Sequence, residues 1–223
     1  MTVDGAVVTL GDKADPERAR VEIDGLPLPV NPALVYYLVA KPVGVISTRD
    51  DTHDRQTVID LVPAAPRVYP VGRLDADSEG LIILTNDGDL TLRLTHPRHQ
   101  FPKTYVALAV GDVTEQSVRR LTAGIDLEDG PARARSARVI DRSHQHTLVE
   151  IVMTEGRNRE VRRMLHALGH PVERLVRTAI GSLRDQRLSP GTWRKLEVDE
   201  VRTLYQAASL PWQDDTPEEG PST

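Results

Sequence analysis

The chain reads as an α+β protein on three grounds: short apolar runs of strand length, four short stretches of helical period, and no regular strand-helix alternation that would build a doubly wound sheet. Its 223 residues and 39% hydrophobic content support one sizeable core, or one catalytic domain with a small appendage. No internal repeat is evident. With no cysteine, disulfides and thiolate metal sites are excluded, which fits a reducing compartment. A soluble cytoplasmic protein is expected, because no apolar run approaches the ~20 residues of a membrane span and no basic segment leads into an apolar one at the N-terminus.

The elements follow in order. Asp4-Gly5 between beta-forming residues predicts a hairpin, and Val21 to Ile23 forms a second apolar patch before Asp24-Gly25. Pro27, Pro29 and Pro32 predict a stiff linker. Residues 36–40 read as a buried strand, with Lys41-Pro42-Val43-Gly44 as the turn leaving it. A short helix is expected at 58–62, and a short strand through Val68, Tyr69 and Val71. After Gly80, taken as a tight bend, Leu81-Ile82-Ile83-Leu84 is a buried strand closed by Asp87-Gly88.

Residues 89–95 suggest a short helix stopped by Pro97, and 104–110 alternate as a strand. Thr114 is the expected N-cap of a helix carrying Val118 and Leu121 and ended by Gly124. Strands are expected at 134–140 and 147–153. A helix over 159–168 places Val161, Met164, Leu165 and Leu168 on one face before Gly169, with Arg162 at the margin, able to reach inward to an acid. The division implied is 1–30, 31–205, and an acidic disordered tail over 206–223 that holds Asp214, Asp215, Glu218 and Glu219.

A net charge of -5 argues against a nucleic-acid partner only if it is spread evenly. It is not. Arg157, Arg159, Arg162, Arg163, Arg174 and Arg177 gather against Glu160 and Glu173, and Arg133, Arg135 and Arg138 alternate. Solvated arginines on surface helices are the plainer reading of the same pattern.

Gly72-Arg73-Leu74-Asp75-Ala76-Asp77-Ser78-Glu79-Gly80 sets an acid, Asp75, between two strands, where a carboxylate is held on rigid elements. A calcium loop would use Asp75, Asp77 and Glu79, but its twelfth position is Asn86 rather than Glu and a strand replaces the exiting helix. An Asp that merely caps a turn is the other reading of the spacing. His96, His99, His166 and His170 are discounted as metal ligands, since His170 lies beyond the helix-ending Gly169 and no metalloprotease pattern is present.

The run GRLDADSEGLIILTNDG (72–88) resembles the signature of the RsuA/RluB-type pseudouridine synthases, which modify uridines of ribosomal RNA. LVAKPVGVIST (38–48), LTHPRHQFPKTYVALAVG (94–111) and EGRNREVRRMLHALGHPVERLVRTAIGSL (155–183) resemble further family segments in the same order, so the likeness covers about residues 36–204. It implies the pseudouridine synthase fold, a mixed and largely antiparallel sheet in two halves with a cleft. It also implies that 1–30, a small β-rich remnant, is the back half of an S4-like RNA-binding module.

The resemblance also implies the chemistry. Uridine is isomerised by breaking the link from ribose to ring nitrogen, turning the base and remaking the link through carbon five, with no cofactor and no metal. Asp75 matches the catalytic aspartate, acting as nucleophile or assisting glycosidic cleavage. Arg162 matches the cation expected to pair with it, and Tyr105 the aromatic residue that stacks on the base and takes the carbon-five proton. Arg73 matches a position near the everted nucleotide or its phosphates, and Lys41, Arg159 and Arg163 are expected on the RNA backbone. From the residues alone, Tyr105 could be half-buried core, Arg162 a structural ion pair and Arg73 a surface salt-bridge partner.

The expected partner is ribosomal RNA, through a loop or bulge uridine, presented by a ribosomal subunit or assembly intermediate. Asp-Ser-Glu-Gly and the long C-terminal match lean toward the RluB-like, large-subunit (23S) branch, with the RsuA-like small-subunit (16S) branch as alternative. Two other classes stay open: a non-catalytic RNA-binding assembly factor, and a metal-dependent phosphodiesterase using Asp75, Asp77 and Asp87.

Overall fold

In a computed structural model, residues 1–15, 19–23, 25–27, 33–48 and 55–209 are described. Asp4 and Gly5, at φ 51° and 84°, turn Thr2–Val3 (β1) into Ala6–Val7 (β2), as a two-residue hairpin requires of both central residues. Val21–Ile23 (β3) and Leu26–Pro27 (β4) complete a four-stranded sheet in the order β2-β1-β3-β4. The expected turn residue Asp24 and the linker prolines Pro29 and Pro32 lie outside the described residues.

The main sheet is built from Tyr36–Lys41 (β5), Tyr69–Pro70 (β6), Glu79–Thr85 (β7) and Lys103–Val110 (β8). A separate ribbon, Ile125–Leu127 (β9) with Gly130–Ala132 (β10), follows. Ser136–Arg142 (β11), His146–Met153 (β12), Val172–Ile180 (β13), Leu183–Arg184 (β14) and Trp193–Lys195 (β15) complete it. Its order is β11-β12-β8-β13-β7-β5-β15, with β14 on β13 and β6 on β7. All pairs are antiparallel except β13 with β7, and that parallel pair, Val176 to Glu79 and Arg177 to Gly80, joins the two halves.

The middles of β5 and β7, Leu38 to Ala40 and Leu81 to Leu84, are unbroken apolar runs because both of their faces are covered. Leu38, Leu81 and Ile83 face one core with the helices Gly88–Thr95 (α1) and Val198–Ser209 (α4), while Tyr37, Val39, Ile82 and Leu84 face another with Val58, Val68 and Leu74. In the other half, Ala107, Ala109, Val149 and Ile151 pack beneath Glu115–Ala123 (α2) and Glu160–Ala167 (α3) through Leu121, Val161, Met164 and Leu165. Each such fully buried Val, Leu, Ile or Met side chain contributes about 1.5–3 kcal/mol against exposure.

The caps behave as composition predicts. Thr114 accepts a hydrogen bond from the Ser117 amide at 3.2 Å to start α2, and Asp87 accepts from the Leu90 amide at 3.0 Å to start α1. Asp87 also receives the hydroxyls of Tyr36 (2.7 Å) and Tyr205 (2.6 Å), which ties β5, α1 and α4 at one buried carboxylate.

Four expectations need correction. Lys41 is the last residue of β5 rather than a turn residue. Gly80 lies inside β7, at φ 113°, because the Arg177 backbone of β13 crosses so closely that a Cβ would sit 2.3 Å from its carbonyl oxygen. The expected disordered tail begins too early, since α4 continues through residues 206–209; Asp214, Asp215, Glu218 and Glu219 lie outside the described residues. The strand β13, at the centre of the sheet, has no counterpart among the expected elements.

Candidate active site

Asp75 stands between β6 and β7, at the mouth of the seam where the two halves meet. Its segment is fixed from beneath. The Ser47 hydroxyl donates to the Leu74 carbonyl at 3.0 Å and accepts from the Leu74 amide at 3.1 Å, and the Gly44 amide donates to the Ala76 carbonyl at 2.8 Å. The Ser78 amide closes a turn on the Asp75 carbonyl at 3.0 Å. A carboxylate on this turn has its backbone restrained on three sides.

The cavity above it is about 190 Å³ and is lined by Arg73, Asp75 and Ser78 from one half of the sheet, and by Tyr105, Met153 and Leu175 from the other. Residues 155–161, leading into α3, form the remaining wall. Tyr105 pairs with Ile151 on the helix-covered face of β8 and packs against the cores of both halves, so its ring straddles the seam. Met153, Val161 and Leu175 give the cavity an apolar floor, while Asp75, Arg73 and Arg159 supply charge. A small planar base with polar edges fits such a lining.

The arginines do not distribute as expected. Arg162 is only 9% exposed and donates to the carbonyls of Val172 (2.8 Å) and Asp77 (2.9 Å), with its Nε 3.6 Å from the Asp77 carboxylate. Its direct acidic partner is therefore Asp77, not Asp75: the turn at Asp75 to Ser78 swings the second acid of the motif toward α3. No cation lies within 4 Å of the Asp75 carboxylate among the described residues, and Arg162 and Arg159 act on it only through their charge. Burial pulls the Arg162 guanidinium below its ordinary range, an effect that the Asp77 and Asp75 charges oppose.

Arg159 lines the cavity and grips Asp77 through two bonds of 2.9 and 2.8 Å. It sits at the N-cap of α3 in the left-handed region, φ 50°, without a capping bond of its own, while Glu160 in the first turn reaches back to accept from the Arg157 amide at 3.1 Å. The Arg159 side chain is thus left to reach across the seam. That pair holds the Asp77 carboxyl below the usual carboxylate range. Burial, reinforced by a hydrogen bond that the protonated Glu160 carboxyl makes to Glu155, pushes Glu160 up on the opposite wall.

Arg73 is exposed, lines the cavity and makes no ion pair among the described residues. Arg163 does not line it and is clamped on Asp129 at 2.7 and 2.9 Å. Lys41 overturns its expected role outright: it is 0% exposed, donates to the Pro42 carbonyl at 3.0 Å, and cannot reach an RNA backbone. Burial lowers its pKa to about 8, against the pull of Asp75, Asp77 and Glu79. Lys103, lowered to about 8 mainly by burial, and buried Arg177, whose Nε donates to the Leu81 carbonyl at 2.7 Å, add to a layer of cations inside the fold.

Sequence reasoning missed Asp77 as the hinge of this network, although the alternating acids that suggested a calcium loop contain it. It also missed Ser47 and the walls from Met153, Glu155 and Leu175. Asp87 is occupied by two tyrosines and a helix N-terminus, so Asp75, Asp77 and Asp87 do not form one metal site, and no cluster able to hold a metal occurs among the described residues.

Residues 35–167 match the RNA pseudouridylate synthase family model. An uncharacterized RNA pseudouridine synthase of Mycobacterium tuberculosis is 47% identical over 93% of this chain and 84% of its own length. The ribosomal large subunit pseudouridine synthase B of Bacillus subtilis is 40% identical over 91% of this chain and 84% of its own. Among solved structures, a pseudouridylate synthase superposes with a TM-score of 0.68 and 28% identity, covering 91% of this chain and 87% of that one. The archaeal Nop10-Cbf5 complex, at TM-score 0.55 and 18% identity over 91% of this chain and 61% of that one, shares the fold. With the two-halved sheet and the acid at its seam, these matches establish that the chain belongs to the RNA pseudouridine synthase family and is of the RsuA/RluB type, an isomerase of RNA uridines.

Proposed function

We propose that this protein converts a uridine of large-subunit (23S) ribosomal RNA to pseudouridine, with Asp75 as the catalytic carboxylate and no cofactor. The single observation that carries the reading is the convergence of Asp75 and Tyr105 from opposite halves of the sheet on one cavity rimmed by Arg73 and Arg159. The large-subunit assignment follows the names of the Bacillus subtilis relative and of a Vibrio cholerae relative, 38% identical over 94% of this chain and 68% of its own length.

The chemistry follows from the groups present. An everted uridine enters with its ring against Tyr105 and the apolar floor, and its phosphates meet Arg73 at the mouth. Asp75, with no cation bonded to its oxygens among the described residues, keeps its electron pairs directed at the nucleoside, while Lys41, Arg159 and Arg162 hold the surrounding field positive. The carboxylate assists departure of the ring nitrogen from the ribose. The base turns, carbon five bonds to the ribose, and the proton lost from carbon five is balanced by one gained at the freed nitrogen. Four groups thus have separate duties: Asp75 at the bond broken, Tyr105 at the ring, Arg73 at the phosphate, and Asp77 holding Arg159 and Arg162 in place.

The test is Asp75→Asn on ribosomal RNA from cells lacking the protein. Product formation is expected to fall by about 10⁴-fold or more, with the fold intact and RNA affinity within about three-fold of wild type. Wild-type turnover by this variant would remove the carboxylate from the mechanism, and pseudouridine appearing only in small-subunit RNA would remove the large-subunit assignment.

A further inference from the structure

Arg133 and Arg135 take no part in the cavity, yet the fold turns them outward for a reason that can be read. In the link from β10 to β11, alternate side chains point inward: Ala132 and Ala134 are buried in the core, so Arg133 and Arg135 are left on the outside. They line a groove of about 760 Å³, against about 190 Å³ for the cavity, a volume for more than one nucleotide.

The groove has firm walls. At the end of α2 the Arg120 carbonyl accepts the Gly124 amide (3.0 Å) and the Leu121 carbonyl accepts the Ala134 amide (2.8 Å). Both acceptors are therefore occupied rather than presented to an anion. The groove also adjoins the cavity. Glu155 lines both, and Arg157 on the cavity wall donates to the carbonyls of Gly130 (3.2 Å) and Pro131 (2.7 Å) at the groove edge. Of the groove's lining residues Glu155 alone is acidic, and Arg133 forms no hydrogen bond or ion pair among the described residues. Arg138, the third residue of the alternating run, is held by Glu150 at 2.7 Å and does not line the groove.

We propose that this groove carries the RNA strand that continues from the uridine in the cavity, with its phosphates on Arg133 and Arg135. The inference rests on the pseudouridine synthase reading of the cavity and names where the flanking strand runs. A phosphodiester chain fits because it presents regularly spaced negative charge and no requirement for base-specific pockets.

The experiment compares wild type, R133E/R135E, and R184E/R187E, a control with the same change of charge at exposed residues beyond β13. The probe is a hairpin transcript around the uridine that the wild-type protein modifies, titrated across a salt series. R133E/R135E is expected to raise the Kd by about 10–100-fold near 0.15 M salt and to lower the slope of log K against log salt by about 0.7 to 1.4, the values for one and two lost single-strand phosphate contacts. The control should change the Kd by less than about three-fold and leave the slope unchanged. Should the reversal not fold, R133Q/R135Q is used, with the same slope change and a smaller rise in Kd. A Kd and slope indistinguishable from the control overturn the groove assignment. If the wild type modifies no uridine, the functional reading fails separately, and the groove is decided by the same titration against ribosomal RNA itself.

Discussion

Gly80→Ala tests the idea that backbone contact at the seam, rather than side-chain packing, sets the relation between Asp75 and Tyr105. A Cβ at this position would stand 2.3 Å from the Arg177 carbonyl oxygen, 2.6 Å from its nitrogen and 2.9 Å from its carbonyl carbon, all backbone atoms that cannot rotate away. Strand β7 must therefore move off β13, where only Val176 to Glu79 and Arg177 to Gly80 are paired. Holding an L-residue at φ 113° costs about 1–3 kcal/mol, overpacking a further ~1–3 kcal/mol, and a weakened ladder bond about 1 kcal/mol. Partial relief by strand separation leaves an expected loss of about 3–6 kcal/mol. In urea, at about 2 kcal/mol per molar, the unfolding midpoint should fall by roughly 1.5–3 M. Gly88→Ala is the matched control: its Cβ meets nothing within 4 Å and it begins α1, so it should stabilise by about 0.4–1 kcal/mol. Equal midpoints for the two variants would show that the halves are not joined by this contact, and the argument for a rigid seam would go with it.

Further outcomes follow from the same network. Ser47→Ala leaves both the Leu74 amide and the Leu74 carbonyl without their partner, with an expected cost of about 1–3 kcal/mol and a fall in turnover larger than any change in RNA affinity, read by single-turnover kinetics. Tyr36→Phe and Tyr205→Phe each remove a hydrogen bond to the Asp87 carboxylate, at about 1.5–3 kcal/mol apiece, and the double variant should depart from additivity because both bonds end on Oδ2; chemical denaturation decides it. The Asp77 carboxyl is depressed below its unfolded value, so its contribution is complete above the ordinary Asp range near ~3.9 and is lost as pH falls through the lower folded value. Asp77→Asn should abolish that acid limb in a stability-against-pH profile, and an unchanged limb would place it on other carboxylates. Lys41→Met should leave the salt slope of RNA binding unchanged, since a side chain with no exposure releases no phosphate counterion.

How much of this was legible depended on whether a residue's fate was decided along the chain or across it. β5 and β7 could be read because covering both faces demands unbroken apolar runs, and α2 because Thr114 and Gly124 mark its ends locally. β13 could not: Val172–Ile180 carries Glu173, Arg174 and Arg177, and reads as a solvated basic stretch. Glu173 and Arg174 stay exposed, with Arg174 on Glu79, and buried Arg177 is tolerated in a central strand because its Nε donates to the Leu81 carbonyl, on an element more than ninety residues earlier. The same holds for the site. Asp75 was legible from its motif and its place between strands. Which acid meets Arg162 was settled by the direction of one turn, and the burial of Lys41 by layers above and below it, neither of which spacing encodes.

That division also resolves the conflict between an RNA substrate and a net charge of -5. The arginines that make 157–177 look like a nucleic-acid face are largely neutralised within the protein: Arg157 on Glu160, Arg159 and Arg162 on Asp77, Arg163 on Asp129 and Arg174 on Glu79. They build the wall of the cavity and give little to the counterion release that drives RNA binding. Arg73 at the cavity mouth and Arg133 in the adjoining groove, which make no ion pair among the described residues, lie outside that dense run. Arginines tied up in this way add little general affinity for RNA. For an enzyme acting on RNA uridines, a base already unpaired in a loop or bulge costs least to extract, so the shape of the seam and the ease of unstacking bear on which uridine enters it.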